Sequence, residues 1–231
     1  MLTYKINLIR HGMTKANIEG LYLGRTDLPL CDDGIAELEK LKMEYDYPFA
    51  EIVYTSPLKR CVQTAYQLYP STELKVVDDL AECNFGDFEG KSYKDLQYSD
   101  DFKAWLEDSV RVSPPNGESG SEFLKRSLRA LSDIFNDMLE KGITDASVIT
   151  HGGVIMMLLS AAGLPRHPMQ DWIVENGAGY TIILTPQMWM RDKMFEVFGK
   201  IPYKSSEIDD DYDDEQFLYD VENDFDPEKE L

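Results

Sequence analysis

The stretch Ile6-Asn7-Leu8-Ile9-Arg10-His11-Gly12-Met13-Thr14 decides how the rest of the chain is read. Its apolar start, with Tyr4 and Lys5 before it, reads as a short buried strand. The strand ends in an arginine and a histidine, and Gly12 then lets the backbone turn. Arg10 suits an anionic ligand, because its planar donors match phosphate or carboxylate oxygens. A histidine at a strand end can serve as base, nucleophile or ligand. Alone, strand-Arg-His-Gly says little, and its meaning depends on partners elsewhere in the chain.

Working outward, short strands are expected at 51–55, 74–77, 146–150, 180–184 and 194–197, with the first at 4–9. One helical turn is expected at 14–17. Asp32-Asp33-Gly34 signals the N-cap of a helix to about Tyr45, with Ile35, Leu38, Leu41 and the stem of Lys42 facing inward. Ser56-Pro57 opens a helix from Leu58 to Tyr69, stopped by Pro70. Residues 92–107 read as one or two short helices anchored by Phe102, Trp105 and Leu106. Ser119 to Glu122 forms a capping box for a long helix to about Lys141, closed by Gly142. Val154 to Ala162 reads as a buried helix. Strands alternating with helices predict an α/β fold, three-layer α/β/α with a largely parallel central sheet.

The chain has 231 residues, 43% of them hydrophobic, with 11 Pro and 15 Gly, as expected of a globular protein with a substantial core. No long apolar run and no charged-then-apolar leader is evident, so neither a membrane span nor a signal peptide is expected. Cys31, Cys61 and Cys83 are scattered, without metal-ligand spacing, and read as free thiols of a cytoplasmic protein. Of the net charge of −20, residues 205–231 carry −12, from thirteen Asp or Glu against one Lys. The expected organisation is therefore a catalytic domain at 1–204 and an acidic C-terminal tail at 205–231. The overall charge argues against a nucleic-acid partner but leaves room for a local positive pocket. Such a tail usually reads as solvated. Tyr212, Phe217, Tyr219 and Phe225 suggest instead that part of it, a helix at 214–221, docks on the body or on a partner.

In parallel sheets ligands bind beyond the carboxyl ends of the strands. Arg10 and His11 follow strand one, Arg60 opens the helix after strand two, Glu82 follows strand three, and His151 follows strand four. Gly152 and Gly153 can add backbone N–H groups at a helix start. Such a set could transfer a phosphoryl group through a histidine: donors around the oxygens, an attacking nitrogen and an acid on the leaving side.

Several motifs, in order, resemble the histidine phosphatase superfamily, phosphoglycerate mutase-like branch. They are Leu8 to Thr14 with Asn17, Ser56 to Arg60 with Gln63-Thr64-Ala65, Glu82 with Phe85 to Gly90, Asn116 to Ser119, and Thr150 to Gly153. The resemblance implies that His11 accepts the phosphoryl group. Arg10, Asn17, Arg60, His151 and the Gly152 region would bind its oxygens, and Glu82 would protonate the leaving group. It implies no metal and no cofactor, and a small phosphorylated metabolite as the partner. A neutral His11 nucleophile needs its other nitrogen to donate to a fixed acceptor, expected to be a backbone carbonyl.

Where mutases carry arginine, histidine and tyrosine after the acid, this chain has Cys83, Asn84 and Phe85, and it lacks their longer insertion. Both departures favour hydrolysis over isomerisation. Residues 16–22 and 85–89 look most like the α-ribazole phosphatases of cobalamin assembly, a pattern that short broad-specificity phosphatases share. The alternatives are a phosphoglycerate mutase-type isomerase, a silent phospho-ligand module and a metallohydrolase. Arg25 and His167 read as surface residues, and Met156 to Leu159 as helix core. Neither Cys61 nor Cys83 has the phosphate-cradling loop of a thiolate phosphatase.

Overall fold

The computed structural model describes residues 2–204, and the sheet is built around β1 (Tyr4–Arg10). After it come α1 (Lys15–Glu19), α2 (Asp32–Glu44), β2 (Ile52–Thr55), α3 (Lys59–Leu68) and β3 (Glu73–Val76). Next are α4 (Tyr93–Leu96), α5 (Asp100–Glu107), α6 (Gly120–Lys141), β4 (Asp145–Thr150) and α7 (Gly152–Ala162). The described chain closes with β5 (Gly163–Leu164), β6 (Gly179–Leu184), α8 (Pro186–Asp192) and β7 (Phe195–Ile201). The expected tail at 205–231, with its helix at 214–221, lies outside the described residues. No helix among the described residues is long and apolar enough to cross a membrane.

The sheet order is β3-β2-β4-β1-β6-β7-β5. The half containing β3, β2, β4 and β1 is parallel, as alternating strands and helices require. The other half departs from that pattern: β6 runs antiparallel to β1, and β7 antiparallel to β6. Only the short α8 separates β6 from β7, and such a connection reverses the chain rather than carrying it across the sheet. The last strand runs to Ile201, beyond the expected end at 197. It continues through Gly199 with exposed Glu196, Phe198 and Lys200 alternating against buried or half-buried neighbours.

Both faces of the central strands are covered. Ile6, Leu8, Tyr54, Val148 and Ile182 pack beneath α6 and α7 through residues such as Leu131, Phe135, Ile155 and Leu158. Ile9, Val53 and Ile149 pack on the other face against Leu38 of α2 and Cys61 and Ala65 of α3. A small third cluster joins Phe88, Leu96 and Phe102 to Tyr22, Phe85 and Trp105. Leu106, expected as an anchor, is exposed: it lies in the last turn of α5, where Phe102 is buried and Trp105 half-buried.

Local signals account for the helix ends. Ser119 and Glu122 bond reciprocally to close the capping box of α6, and Gly142, at φ 69°, ends that helix in the left-handed region. In α2 the cap is Cys31, whose Sγ accepts from the Gly34 N–H at 3.4 Å. Asp32 and Asp33 occupy the first turn instead, where their charge favours the helix dipole. Leu38 is buried as expected and Ile35 and Leu41 are half-buried, while Lys42 donates to the Gln67 carbonyl at 2.6 Å.

A buried polar relay crosses the sheet. Thr181 Oγ1 donates to Asn7 Oδ1 at 2.8 Å, Asn7 Nδ2 to Ser147 Oγ at 3.4 Å, and Ser147 to the Tyr69 hydroxyl at 2.9 Å. Asn7 and Ser147 are fully buried, so their polar groups depend on these neighbours rather than on water. Asn7→Ala should therefore lower unfolding stability by on the order of 2 kcal/mol, read as a lower urea midpoint. An unchanged midpoint would mean that the relay contributes nothing.

Candidate active site

The parallel register of β1 and β4 pairs Arg10 with Thr150, so the next residue of each strand is a histidine. His11 donates its backbone N–H to the Thr150 carbonyl at 2.9 Å, and the two imidazole rings meet edge to face at 5.1 Å. Parallel pairing of β2 with β4 brings Ser56 to the same rim, its N–H on the Ile149 carbonyl at 3.0 Å. Arg60, Glu82 and Gly153 also arrive there, so one sheet edge collects most of the expected site.

His11 Nδ1 lies 2.6 Å from the Gly12 carbonyl. A carbonyl only accepts, so Nδ1 carries the proton and Nε2 keeps its lone pair. Burial, helped by the charges of Arg60 and Arg10, holds the ring's pKa well below that of a free histidine. His11 is therefore neutral near pH 7, and the expected backbone acceptor is present. The Gly12 N–H donates to Thr64 Oγ1 at 2.9 Å, which anchors the turn to α3.

His151 is fully buried, and both its nitrogens have protein partners. Arg60 Nε donates to Nδ1 at 3.3 Å, and Nε2 lies 2.8 Å from Ser56 Oγ. Nδ1 is therefore an acceptor and Nε2 bears the proton. Burial and the neighbouring His11 and Arg60 push its pKa well down. The rest of the Arg60 guanidinium donates to the carbonyls of Gly24 and Thr26 at 2.8 and 2.9 Å. Glu89 grips the same loop from the other side, accepting from the N–H groups of Arg25 and Thr26, both at 2.7 Å.

Glu82 is buried, and its carboxylate accepts from the Cys83 N–H at 2.8 Å and the Gly153 N–H at 3.0 Å. Burial raises its pKa, against the opposing pull of those two donors and of Arg60 and Arg10. A neutral histidine in one cavity with a carboxyl group of raised pKa is an arrangement suited to passing a proton. Gly153 makes room for it, since a Cβ there would fall on the Glu82 carboxylate.

A cavity of about 250 Å³ opens at this rim. Its polar part is Arg10, His11, Asn17, Glu82 and the backbone of Gly152 and Gly153; its walls are apolar, with Leu21, Tyr22, Phe85, Met156 and Ile173 prominent. Arg10 donates to the Val174 carbonyl at 2.6 Å, while its buried Nε has no hydrogen-bond partner. An unpaired cationic donor at a cavity wall favours an anion. Asn17 lines the cavity while its side chain also closes the capping box of α1 with Thr14. Arg60 and His151 stand beside His11 but do not line the cavity.

Arg25 and His167 are exposed, and Arg25 lies 3.8 Å from Glu118. Cys61 is buried 3.4 Å from His151 Nε2, and burial pushes its thiol up to about 12, while that of Cys83 is raised too. Such thiols stay protonated and are poor nucleophiles. No group of three or more His, Cys, Asp or Glu among the described residues is placed to hold a metal ion. Residue-by-residue reading missed Ser56 and Thr64 as supports of the two histidines. The rule that led to His11 and His151 would have found Ser56, which directly follows β2.

The family model described as "Histidine phosphatase superfamily (branch 1)" matches residues 6–196. The adenosylcobalamin/alpha-ribazole phosphatase of Escherichia coli is 31% identical over 175 residues, covering 74% of this chain and 85% of that protein. A 2,3-bisphosphoglycerate-dependent phosphoglycerate mutase of Gloeobacter violaceus is 30% identical over 160 residues, 66% of this chain and 72% of its own. The crystal structure of the alpha-ribazole phosphatase from Shigella flexneri superposes with a TM-score of 0.70 at 26% identity, covering 84% of this chain and 94% of that one.

The contact between Gly153 and Glu82 can be tested directly. Gly153→Ala should displace the carboxylate and reduce turnover of phosphate esters by about 100-fold, the lower end of general-acid contributions. Thermal unfolding should change little, since α7 gains a better helix former. Full activity in that variant would show that the carboxylate need not stand where it does.

Proposed function

The chain belongs to the histidine phosphatase superfamily and is a phosphatase, and on that premise we propose that His11 is its phosphoryl acceptor and Glu82 its general acid. The observation that carries this reading is the Nδ1 contact of His11 with the Gly12 carbonyl, 2.6 Å long. It leaves the Nε2 lone pair free on a residue that lines the cavity. Arg10, Asn17 and the Gly152 backbone hold the phosphoryl oxygens, and the charge of Arg60, with His151 beside it, favours the same anion.

Nε2 attacks phosphorus in line with the ester oxygen. As the N–P bond forms and the P–O bond breaks, Glu82 gives its proton to the leaving oxygen. The phosphohistidine keeps its Nδ1 proton on the Gly12 carbonyl. Water then attacks phosphorus, Glu82 takes its proton, and the N–P bond breaks to release phosphate and neutral His11.

The leaving group is an alcohol with an apolar or aromatic face, and α-ribazole 5'-phosphate is the substrate we propose. The apolar walls support this, as does the name of the E. coli relative. Among the described residues Arg10 is the one cationic side chain lining the cavity. A phosphoglycerate would need a second cation for its carboxylate, and Cys83, Asn84 and Phe85 supply none. Hydrolysis is therefore favoured over phosphoryl migration.

Two measurements test the proposal. Brief exposure to a phosphorylated substrate should leave acid-labile, base-stable label on His11, and His11→Ala should lose at least about 1,000-fold in turnover. Full activity in that variant would reject His11. In a substrate panel, α-ribazole 5'-phosphate should exceed phosphoserine and 3-phosphoglycerate by roughly 10–100-fold in kcat/KM, the range that apolar contacts supply. Equal values would remove the apolar wall as the basis of selection.

A further inference from the structure

Glu82 lies six residues beyond the end of β3, an edge strand whose residues are mostly exposed. The strand alone therefore fixes the position of the carboxyl group poorly. Thr150 of β4 holds the Leu80 carbonyl at 2.8 Å, and the grip on either side of Glu82 comes from α6. Arg126 is buried at 8% exposure, and all five of its N–H donors are engaged. Nη1 donates to the carbonyls of Asp79 at 2.8 Å and Ala81 at 2.5 Å. Nη2 donates to the Glu82 carbonyl at 2.8 Å and to Glu118 Oε1 at 2.6 Å, and Nε to Glu118 Oε2 at 2.9 Å. Glu118 in turn accepts from the Asn84 N–H at 2.7 Å.

The ion pair thus grips the backbone at residues 79, 81, 82 and 84, on both sides of the Glu82 side chain. Glu118 directly precedes Ser119, the cap of α6, and Arg126 stands two turns into that helix. The grip is therefore referred to one of the most deeply packed elements of the fold. Neither residue lines the cavity. Lysine could not replace the arginine, because a compact ammonium group with three donors cannot span three carbonyls and a bidentate carboxylate.

We propose that Arg126, locked by Glu118, is the positioning residue that sets where the Glu82 carboxyl group stands relative to the leaving oxygen. This rests on Glu82 being the proton donor. Misplacing an acid matters when the leaving group needs its proton, and matters little when it does not. A residue that serves only stability would affect both kinds of ester alike.

The test compares butyl phosphate, a poor leaving group, with p-nitrophenyl phosphate, a good one, in wild type, Glu82→Gln, Arg126→Met, Glu118→Gln and the Glu82→Gln/Arg126→Met double variant. Arg126→Met should lower kcat/KM, which covers only the steps through loss of the leaving alcohol and not the hydrolysis of phosphohistidine, by at least about 30-fold on butyl phosphate and by no more than about threefold on p-nitrophenyl phosphate. The double variant should stay within about threefold of Glu82→Gln alone on butyl phosphate, because the two changes remove one function. Equal losses on both esters in Arg126→Met, or multiplied losses in the double variant, would overturn the proposal. If Arg126→Met does not fold by circular dichroism, Glu118→Gln decides the matter. It keeps the arginine but removes its lock, and should show the same selectivity, while equal losses or no loss would again overturn the proposal. If Glu82→Gln itself lowers kcat/KM equally on both esters, the assignment of the acid fails, and that result does not depend on any Arg126 variant.

Discussion

One backbone alignment sets the geometry of this molecule: the parallel register in which Arg10 stands beside Thr150. Because side chains alternate along a strand, a slip of one residue would turn each histidine's neighbours to the opposite face. The register instead delivers His11 and His151 side by side, and the His11 N–H continues the ladder onto the Thr150 carbonyl. The hydrophobic pattern enforces it, since Ile6 and Leu8 must face α6 and α7 while Ile9 faces α2 and α3. The same alternation that builds the core thus places the two imidazole rings.

Two opposed electrostatic environments then lie within one cavity. Burial next to arginine keeps the imidazole neutral, and burial of the carboxylate pushes its pKa upward. Both shifts come chiefly from excluding water, so the walls matter to the chemistry as well as to fit. Those walls lean on the aromatic cluster in which Tyr22 and Phe85 meet edge to face at 5.4 Å and Phe102 stacks on Trp105 at 5.8 Å. The segment from 85 to 105 therefore carries most of the small third cluster, which shapes one side of the cavity.

Much of this was legible because its signals are local. A strand run ending in Arg-His-Gly, a Ser-Gly-Ser-Glu capping box and Gly-Gly after a second strand histidine each declare their structure within a few residues. The parallel half of the sheet followed from alternating elements. The direction of β6 and β7 did not, because a strand's sequence does not encode its orientation. Leu106 and Cys31 show the same limit at smaller scale: neighbouring candidates of similar type competed, and packing chose between them. The partners of Arg60 and Arg126 were invisible for a further reason. Apart from His151 and Glu118, they are backbone carbonyls, which every residue possesses, so no side-chain pattern announces them.

The Arg60 guanidinium touches His151 and also ties down the carbonyls of Gly24 and Thr26. The loop that continues from the wall residue Leu23 is thereby mechanically joined to the histidine pair, His11 and His151. Divergence of specificity within such a scaffold is constrained: insertions at 24–26 would disturb the histidine pair along with the shape of the cavity. Positions such as Leu21, Met156 and Ile173 touch the cavity without belonging to that joint. They are where this architecture can acquire a new substrate while keeping its chemistry.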